Sequence, residues 1–243
     1  MLAIFKKELT SFFATPVGYL VMGVFWILSG LFLWVFKGGF NILDYGFADL
    51  SPFFLLAPWI FMFLIPALSM RSFAEERKLG TLELLLSKPI SIRALVLGKF
   101  AGVFTLAVLA LLPTLLYVYT LFELSAETNA PDLGLILGGF LGLFLLLALF
   151  TSVGLFTSAS TDNQIVAFLG SLVLLFLLYF GFENFAGLMK EGGLVLGITT
   201  LGIKSHYENI GQGLLDSRDV VYFISITLFF LYWASWRLNL LRA

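Results

Sequence analysis

Six long apolar stretches decide what this chain can fold into. A helix needs roughly 20 mostly apolar residues to cross a hydrocarbon core about 30 Å thick. Stretches of that order lie near residues 17–36, 52–70, 95–121, 133–156, 164–182 and 220–236. A backbone in lipid must satisfy its own hydrogen bonds, and continuous apolar runs without alternation do so as helices. The expected fold is therefore all-α, a polytopic membrane protein with six transmembrane helices, read as one six-span domain over residues 1–243. Composition agrees: 12% of the residues are charged, against about 25% in soluble domains.

The fifth run, QIVAFLGSLVLLFLLYF, carries enough Leu, Ile, Val and Phe to favour insertion, at about 0.3 to 0.6 kcal/mol each. The segment between spans two and three, RSFAEERKLGTLELLLSKPIS (71–91), has the opposite sign. Arg71, Glu75, Glu76, Arg77, Lys78 and Glu83 would each cost about 2.5 to 3.5 kcal/mol at mid-membrane, so this segment stays in water. Lys6 and Lys7, then Arg71, Arg77, Lys78, Lys88, Arg93 and Lys99, then Arg237 and Arg242 put ten of the 14 Lys and Arg residues on one side. By the positive-inside rule that side is the cytoplasm, and both termini are expected there. Acidic residues dominate the other side: Asp44, Asp49, Glu123, Glu127, Asp132, Glu183, Glu191, Glu208, Asp216 and Asp219.

Lys6 and Lys7 precede an apolar run too long for a secretory leader, with no small-residue cleavage site after Phe36, so the first span is read as uncleaved. The absence of cysteine excludes disulfides and thiolate metal sites. A pI near 5.8, with no basic cluster beyond the membrane flanks, gives no footprint for nucleic acid.

In LAIFKKELTSFF (2–13), Leu2, Phe5, Leu9, Phe12 and Phe13 fall within one helical stripe, with Lys6, Lys7, Thr10 and Ser11 elsewhere. The pattern predicts a helix lying on the inner membrane surface and ended by Pro16; the alternative is a frayed terminus. On the outer side, GGLVLGITTLGI (192–203) is apolar but too short to cross. It is either a re-entrant or interfacial segment or a cap over the helix ends, within a long loop (183–218) that could meet an extracytoplasmic partner. The inner loop near 158–163 is only a polar turn, which leaves 71–91 as the inner segment large enough to engage a partner.

Within GTLELLLSKP, Thr81 can cap a helix, Glu83 in its first turn favours the positive end of the dipole, and Pro89 stops it. Leu82, Leu85 and Leu86 share a face, joined by Leu79 if the helix begins earlier. Ser91 could cap a second helix carrying Arg93 and Lys99 into span three. A helix of two turns is marginal alone and needs something to pack against, either a socket on a cytoplasmic protein or the lipid headgroups.

The string EERKLGTLELLLSKPIS closely resembles the signature of type-two ABC exporter permeases, in which E-E-R-x-x-G-T-L-E-L-L-L-x-x-P-I-S lies between spans two and three. The resemblance extends to the N-terminal interfacial helix (Phe5, Lys6, Lys7, Leu9, Phe12, Phe13), the six spans and the long outer loop. IKSHYENIGQGLLDSRDVVYF resembles the branch of gliding-motility and copper-enzyme-maturation permeases. The resemblance implies that the short inner helix is a coupling helix docked in a cleft of a separate ATP-binding subunit. Glu75, Glu76 and Arg77 would supply polar contacts, Gly80 the close turn, Thr81 the cap, and Leu82, Glu83, Leu84, Leu85 and Leu86 the docking surface. It further implies two permease subunits, identical or not, and two ATPases, with ATP and magnesium held on the partner. The chain has no G-x-x-x-x-G-K-[ST] phosphate loop and is expected to bind no cofactor itself.

Three rivals remain. An ion-coupled secondary transporter usually places ionisable residues at mid-membrane, and none of the predicted spans has one in its middle. Pro58, Pro66 and Pro113 could kink spans two and three, or serve packing alone. For an intramembrane enzyme, His206 is the lone histidine and no H-E-x-x-H occurs. Beside Tyr207 and Glu208 it could be a contact or pH-sensitive group, against the simpler expectation of a solvated loop histidine. A membrane scaffold that moves nothing is the third.

Overall fold

The computed structural model describes residues 1–45, 49–125, 131–189, 192–213 and 216–242, with side chains also left undescribed at 45, 192–194 and 196. Glu127 and Glu191, counted above with the outer acidic residues, lie outside the described residues. Every described element is a helix. A first helix, α1 (Leu2–Ala14), leads into α2 (Pro16–Gly30), which continues through a π-helical turn at Leu31–Val35. After α3 (Ile42–Tyr45) come α4 (Ser51–Lys78), α5 (Thr81–Leu86) and α6 (Ile92–Leu111), the last joined by a 3₁₀ turn at Leu112–Thr114 to α7 (Leu115–Leu124). Then follow α8 (Leu133–Ser160), α9 (Gln164–Phe176), a π turn at Leu177–Gly181, α10 (Phe182–Gly187), α11 (Gly192–Thr199), α12 (Ile203–Gly211) and α13 (Ser217–Arg242).

Six of these assemblies are long and apolar enough to cross a membrane: Pro16–Val35, Ser51–Lys78, Ile92–Leu124, Leu133–Ser160, Gln164–Gly187 and Ser217–Arg242. All six expected spans are present, and most outrun their expected ends. Pro16 opens α2 at its first position, where the missing N–H has no helical partner to lose. Side-chain caps start three others: Ser91 accepts from Ala94 N, Asp132 from Gly134 N and Asn163 from Ile165 N. Pro58 and Pro66 lie within the continuous α4, whereas Pro113 marks the 3₁₀ break in the third span.

Helices α4 and α8 form the centre. The apolar window of α4 is 72% buried inside the chain, against 33% for the first span and 22% for the fifth, so those two turn most of their surface outward. Phe25 stacks on Phe61 with ring centroids 4.3 Å apart, and the core continues through Phe53, Leu143, Leu147 and Phe150. A second, smaller core closes one end of the bundle and joins Ile4, Phe73, Leu82, Leu86, Leu95, Leu155, Ala234 and Leu238. Both chain ends lie there: Lys7 pairs with Glu76, and Arg242 Nη1 donates to the Ile90 carbonyl at 3.5 Å.

At the opposite end α11 packs on α10, while α12 sits across α8 and α13. Ile203, Tyr207 and Ile210 are buried there, and the Tyr207 hydroxyl donates to the Phe54 carbonyl at 2.7 Å. The 192–203 stretch, read as either a re-entrant segment or a cap, forms the eight-residue α11 and the turn that leads into α12. His206 is correspondingly no solvated loop residue: its side chain is 14% exposed and wedged between α12 and α13.

Candidate functional site

The 28 residues of α4 span about 42 Å at 1.5 Å per residue, so the helix leaves the hydrocarbon before it ends. The charges from Arg71 to Lys78 that were expected in a loop therefore ride on the transmembrane helix itself. Arg71 and Glu75, one turn apart, form a forked pair with bonds of 2.8 and 3.1 Å that supports this extension. Ser158 of α8 fastens it: its hydroxyl accepts from the Phe73 and Ala74 N–H groups and donates to the Met70 carbonyl.

Helix α4 stops where Leu79 N donates to Glu75 O and Gly80 N to Arg77 O. Gly80 has φ of 69°, a left-handed conformation that favours glycine, and it starts α5. Gly80 thereby takes the cap position expected of Thr81. Thr81 is the first helical residue, and its hydroxyl instead donates to the Glu76 carbonyl at 3.1 Å, tying α5 back to α4. Glu83 stands in the first turn and Pro89 lies three residues past the last, both as anticipated.

The leucines of α5 do not form one free ridge. Leu82 and Leu86, one turn apart, are 3% and 6% exposed and sit in the end core. Leu85 is half-buried, while Leu79 and Leu84 are 67% and 66% exposed beside exposed Lys78 and Glu83. A six-residue helix cannot hold itself in water, so the bundle supplies the socket and leaves the far side exposed. The bundle thus grips α5 by one face.

The expected polar contacts turn inward too. Glu76 Oε1 accepts from Lys7 Nζ at 2.9 Å, and Lys99 Nζ lies 2.7 Å from Glu8 Oε1 and 3.0 Å from Glu76 Oε2, the second without hydrogen-bonding geometry. Arg77 is half-buried. Lys99 is 1% exposed and lies 5.2 Å from the Phe73 ring centroid, a cation–π approach. Burial is the largest single influence on the Lys7 ammonium and pulls it down, but the hydrogen bond to Glu76 together with the charges of Glu76 and Glu8 outweighs it and holds Lys7 above the ordinary lysine range. Lys7, Glu8, Arg71, Glu75, Glu76 and Lys99 line a cavity of about 310 Å³ between α1, α4 and α6.

Helix α1 forms as expected but is rotated from the expected stripe. It presents Ile4, Glu8 and Phe12 to the bundle, with Phe5, Leu9 and Phe13 half-buried at the flanks and Leu2, Lys6 and Lys7 exposed. Gly98 and Gly102 on α6 are the cause. A Cβ at Gly98 would lie 2.8 Å from Ile4 Cβ, and one at Gly102 would lie 2.7 Å from Glu8 Cβ. Only glycine lets α1 approach this closely, and Lys99 between them then reaches Glu8. Gly102→Leu is expected to push α1 away at roughly 1–3 kcal/mol, the usual cost of overpacking. Melting of the detergent-solubilised protein should fall by several degrees; an unchanged melting temperature would mean that α1 does not pack as described.

Glu8, Lys99 and Ser158 were missed in the sequence reading. A usable signal did exist for two of them: a lysine between glycines four apart (GKFAG), and a glutamate on the Ile4–Phe12 helical line. Among the described residues no cluster of His, Asp or Glu could hold a metal ion. What the arrangement can do is mechanical. Leu82 and Leu86 share the end core with residues of α4, α6, α8 and α13, and Glu76, Lys99 and Glu8 link the end of α4 to α1.

The family model for the ABC-2 family transporter protein matches residues 2–210, which takes in α1, five of the six spans and nearly all of α12. No curated protein matches the chain.

Proposed function

The chain belongs to the ABC-2 family of transporter proteins, and from that premise we propose that it is the permease subunit of an ATP-driven exporter whose separate ATP-binding subunit docks on α5. The observation that carries this reading is the divided helix: Leu82 and Leu86 are anchored in the permease while Leu79 and Leu84 face outward. A helix gripped on one face and bare on the other can pass a partner's motion into the bundle. Gly80, Thr81, Glu83 and Leu85 hold its angle and flank the contact.

In this reading ATP and magnesium stay on the partner. Closure of two ATP-binding subunits moves two α5 helices, and the permeases rock as rigid bodies to switch access. The second permease, identical or not, pairs with this one across the bundle surface, with the cargo path between them. The first and fifth spans, the least buried by their own chain, offer such a surface. The basic residues at the α5 end support a cytoplasmic position for α5 and both termini, with the spans in a bacterial inner membrane. The IKSHYENIGQGLLDSRDVVYF stretch supports the narrower gliding-motility or copper-enzyme-maturation branch, where residues 183–218 would meet an extracytoplasmic partner.

Purification of the tagged protein from its own host in mild detergent should bring an ATP-binding subunit with it, identified by mass spectrometry. Its absence under several detergents would shift the reading to a scaffold or a secondary carrier.

A further inference from the structure

The lone histidine of the chain lies far from α5, at the opposite end of the bundle, and its hydrogen bonds constrain its protonation. His206 Nδ1 is 2.5 Å from Asp219 Oδ1, and Nε2 is 2.7 Å from the Thr200 carbonyl. Both neighbours face a ring nitrogen with an acceptor. A carbonyl can only accept, so Nε2 must carry a hydrogen. A carboxylate likewise accepts, so a second proton must lie between Nδ1 and Oδ1. A neutral imidazole has only one N–H. Both acceptors are met when an imidazolium stands beside the carboxylate, a pair that holds one proton more than a neutral histidine beside a carboxylate.

The surroundings make that proton matter. Asp219 is 4% exposed, and its second oxygen, Oδ2, has no hydrogen-bond partner among the described residues. The His206 ring stacks on Tyr222, centroids 3.9 Å apart, and the Tyr222 hydroxyl donates to the Leu201 carbonyl. The three contacts of His206 thus tie the 200–202 turn and the first turn of α12 to the first turns of α13. Other ionisable groups of the packed elements are engaged elsewhere or lie apart. Lys204 pairs with Glu183 of α10 at 2.6 Å and with Glu208 at 3.7 Å. Asp216 accepts from the backbone N–H of Arg218, Arg218 itself is exposed, and the Tyr207 hydroxyl bonds Phe54 O. Tyr179 lies beyond Tyr207, ring centroids 6.5 Å apart. Helix α8 brings no charged side chain, with Asp132 at its cap engaged by Gly134 N.

We propose that His206 and Asp219 form a proton-dependent clasp that fastens the α12 cap to α13, closed while the shared proton is held and loosened when rising pH removes it. The sign follows from the geometry. Without the proton the imidazole keeps a single N–H, which serves either Asp219 or the Thr200 carbonyl, and the other acceptor then faces a bare ring nitrogen at hydrogen-bonding distance, so one of the two bonds becomes a repulsion. The proposal concerns the end of the bundle opposite α5 and does not depend on which partner drives the protein.

A single histidine makes the test direct. The full-length protein, labelled with ¹⁵N-histidine in lipid nanodiscs, is titrated over roughly pH 5 to 9, the range of the histidine switch. Hydrogen exchange of the α12 amides is followed in parallel and corrected for the intrinsic pH dependence of exchange. The proposal expects both ring nitrogens protonated where the cap is protected. As one N–H is lost, protection should fall on the order of tenfold, the scale of one charged hydrogen bond. Asp219→Asn should show one bare nitrogen at pH values where the native protein shows none. A bare nitrogen in the native protein while α12 is fully protected, or protection that ignores the loss of the proton, overturns the clasp; the native titration decides even if the variant does not fold.

Discussion

Replacing Leu79 and Leu84 together with aspartate is expected to strip the ATP-binding subunit from the purified complex while leaving the permease inserted and folded. Both side chains are about two-thirds exposed in the isolated chain, so their loss removes nothing from its own core. At a docked interface, well-packed anchor residues are worth about 2 kcal/mol or more each, so the double change should weaken binding at least on the order of a hundredfold. Leu82→Asp is the contrasting variant. Leu82 is 3% exposed in the end core, and a charge there costs several kcal/mol, so this protein should melt early or fail to accumulate. Co-purification and melting, measured on both variants, separate docking from folding. Retention of the ATP-binding subunit by the Leu79→Asp/Leu84→Asp protein would remove α5's outer face from the account.

Lys99→Met carries the second large effect. Lys99 is buried against Glu8 and Glu76, and removing one partner of a buried ion pair costs about 3–5 kcal/mol because the remaining charge stays desolvated. For a chain of this size that corresponds to a fall of roughly 10 °C in melting temperature. The double variant Lys99→Met/Glu8→Leu should recover most of it, since Lys7 can still neutralise Glu76 at 2.9 Å and an apolar pair often replaces a buried ionic one at little cost. The recovered protein would hold α1 by packing alone. If the single variant melts like the native protein, the Glu8–Lys99–Glu76 link carries no stability and cannot tie α1 to the base of α5.

The six spans were legible because lipid gives an apolar helix only one answer. Less legible was the choice between two apolar surroundings. The α5 pattern identifies its leucines, but not that Leu82 and Leu86 are buried in the end core while Leu84, with Leu79 just before the helix, is left exposed. Helix α1 shows the same limit: Leu2, Phe5, Leu9, Phe12 and Phe13 read as one membrane-facing stripe, yet Gly98 and Gly102, some 90 residues away in sequence, draw in the Ile4–Glu8–Phe12 line, which shares only Phe12 with it. The partners of Lys99 and His206 were hidden for a related reason, because both pairings cross between helices that no local period connects. Ser91 was readable as a cap because its partner, Ala94 N, is three residues on. The capping role expected of Thr81 failed because the left-handed turn at Gly80 had already taken that position.

The most direct measurement uses the absence of cysteine from the chain. Single cysteines are placed at Leu79, Leu84 and Leu86, labelled with a thiol-linked photo-crosslinker in native membranes and irradiated. Adducts with an ATP-binding subunit are expected from positions 79 and 84 and none from 86, which the end core covers. Adducts with lipid alone from 79 and 84, in membranes where the protein is intact, would contradict it.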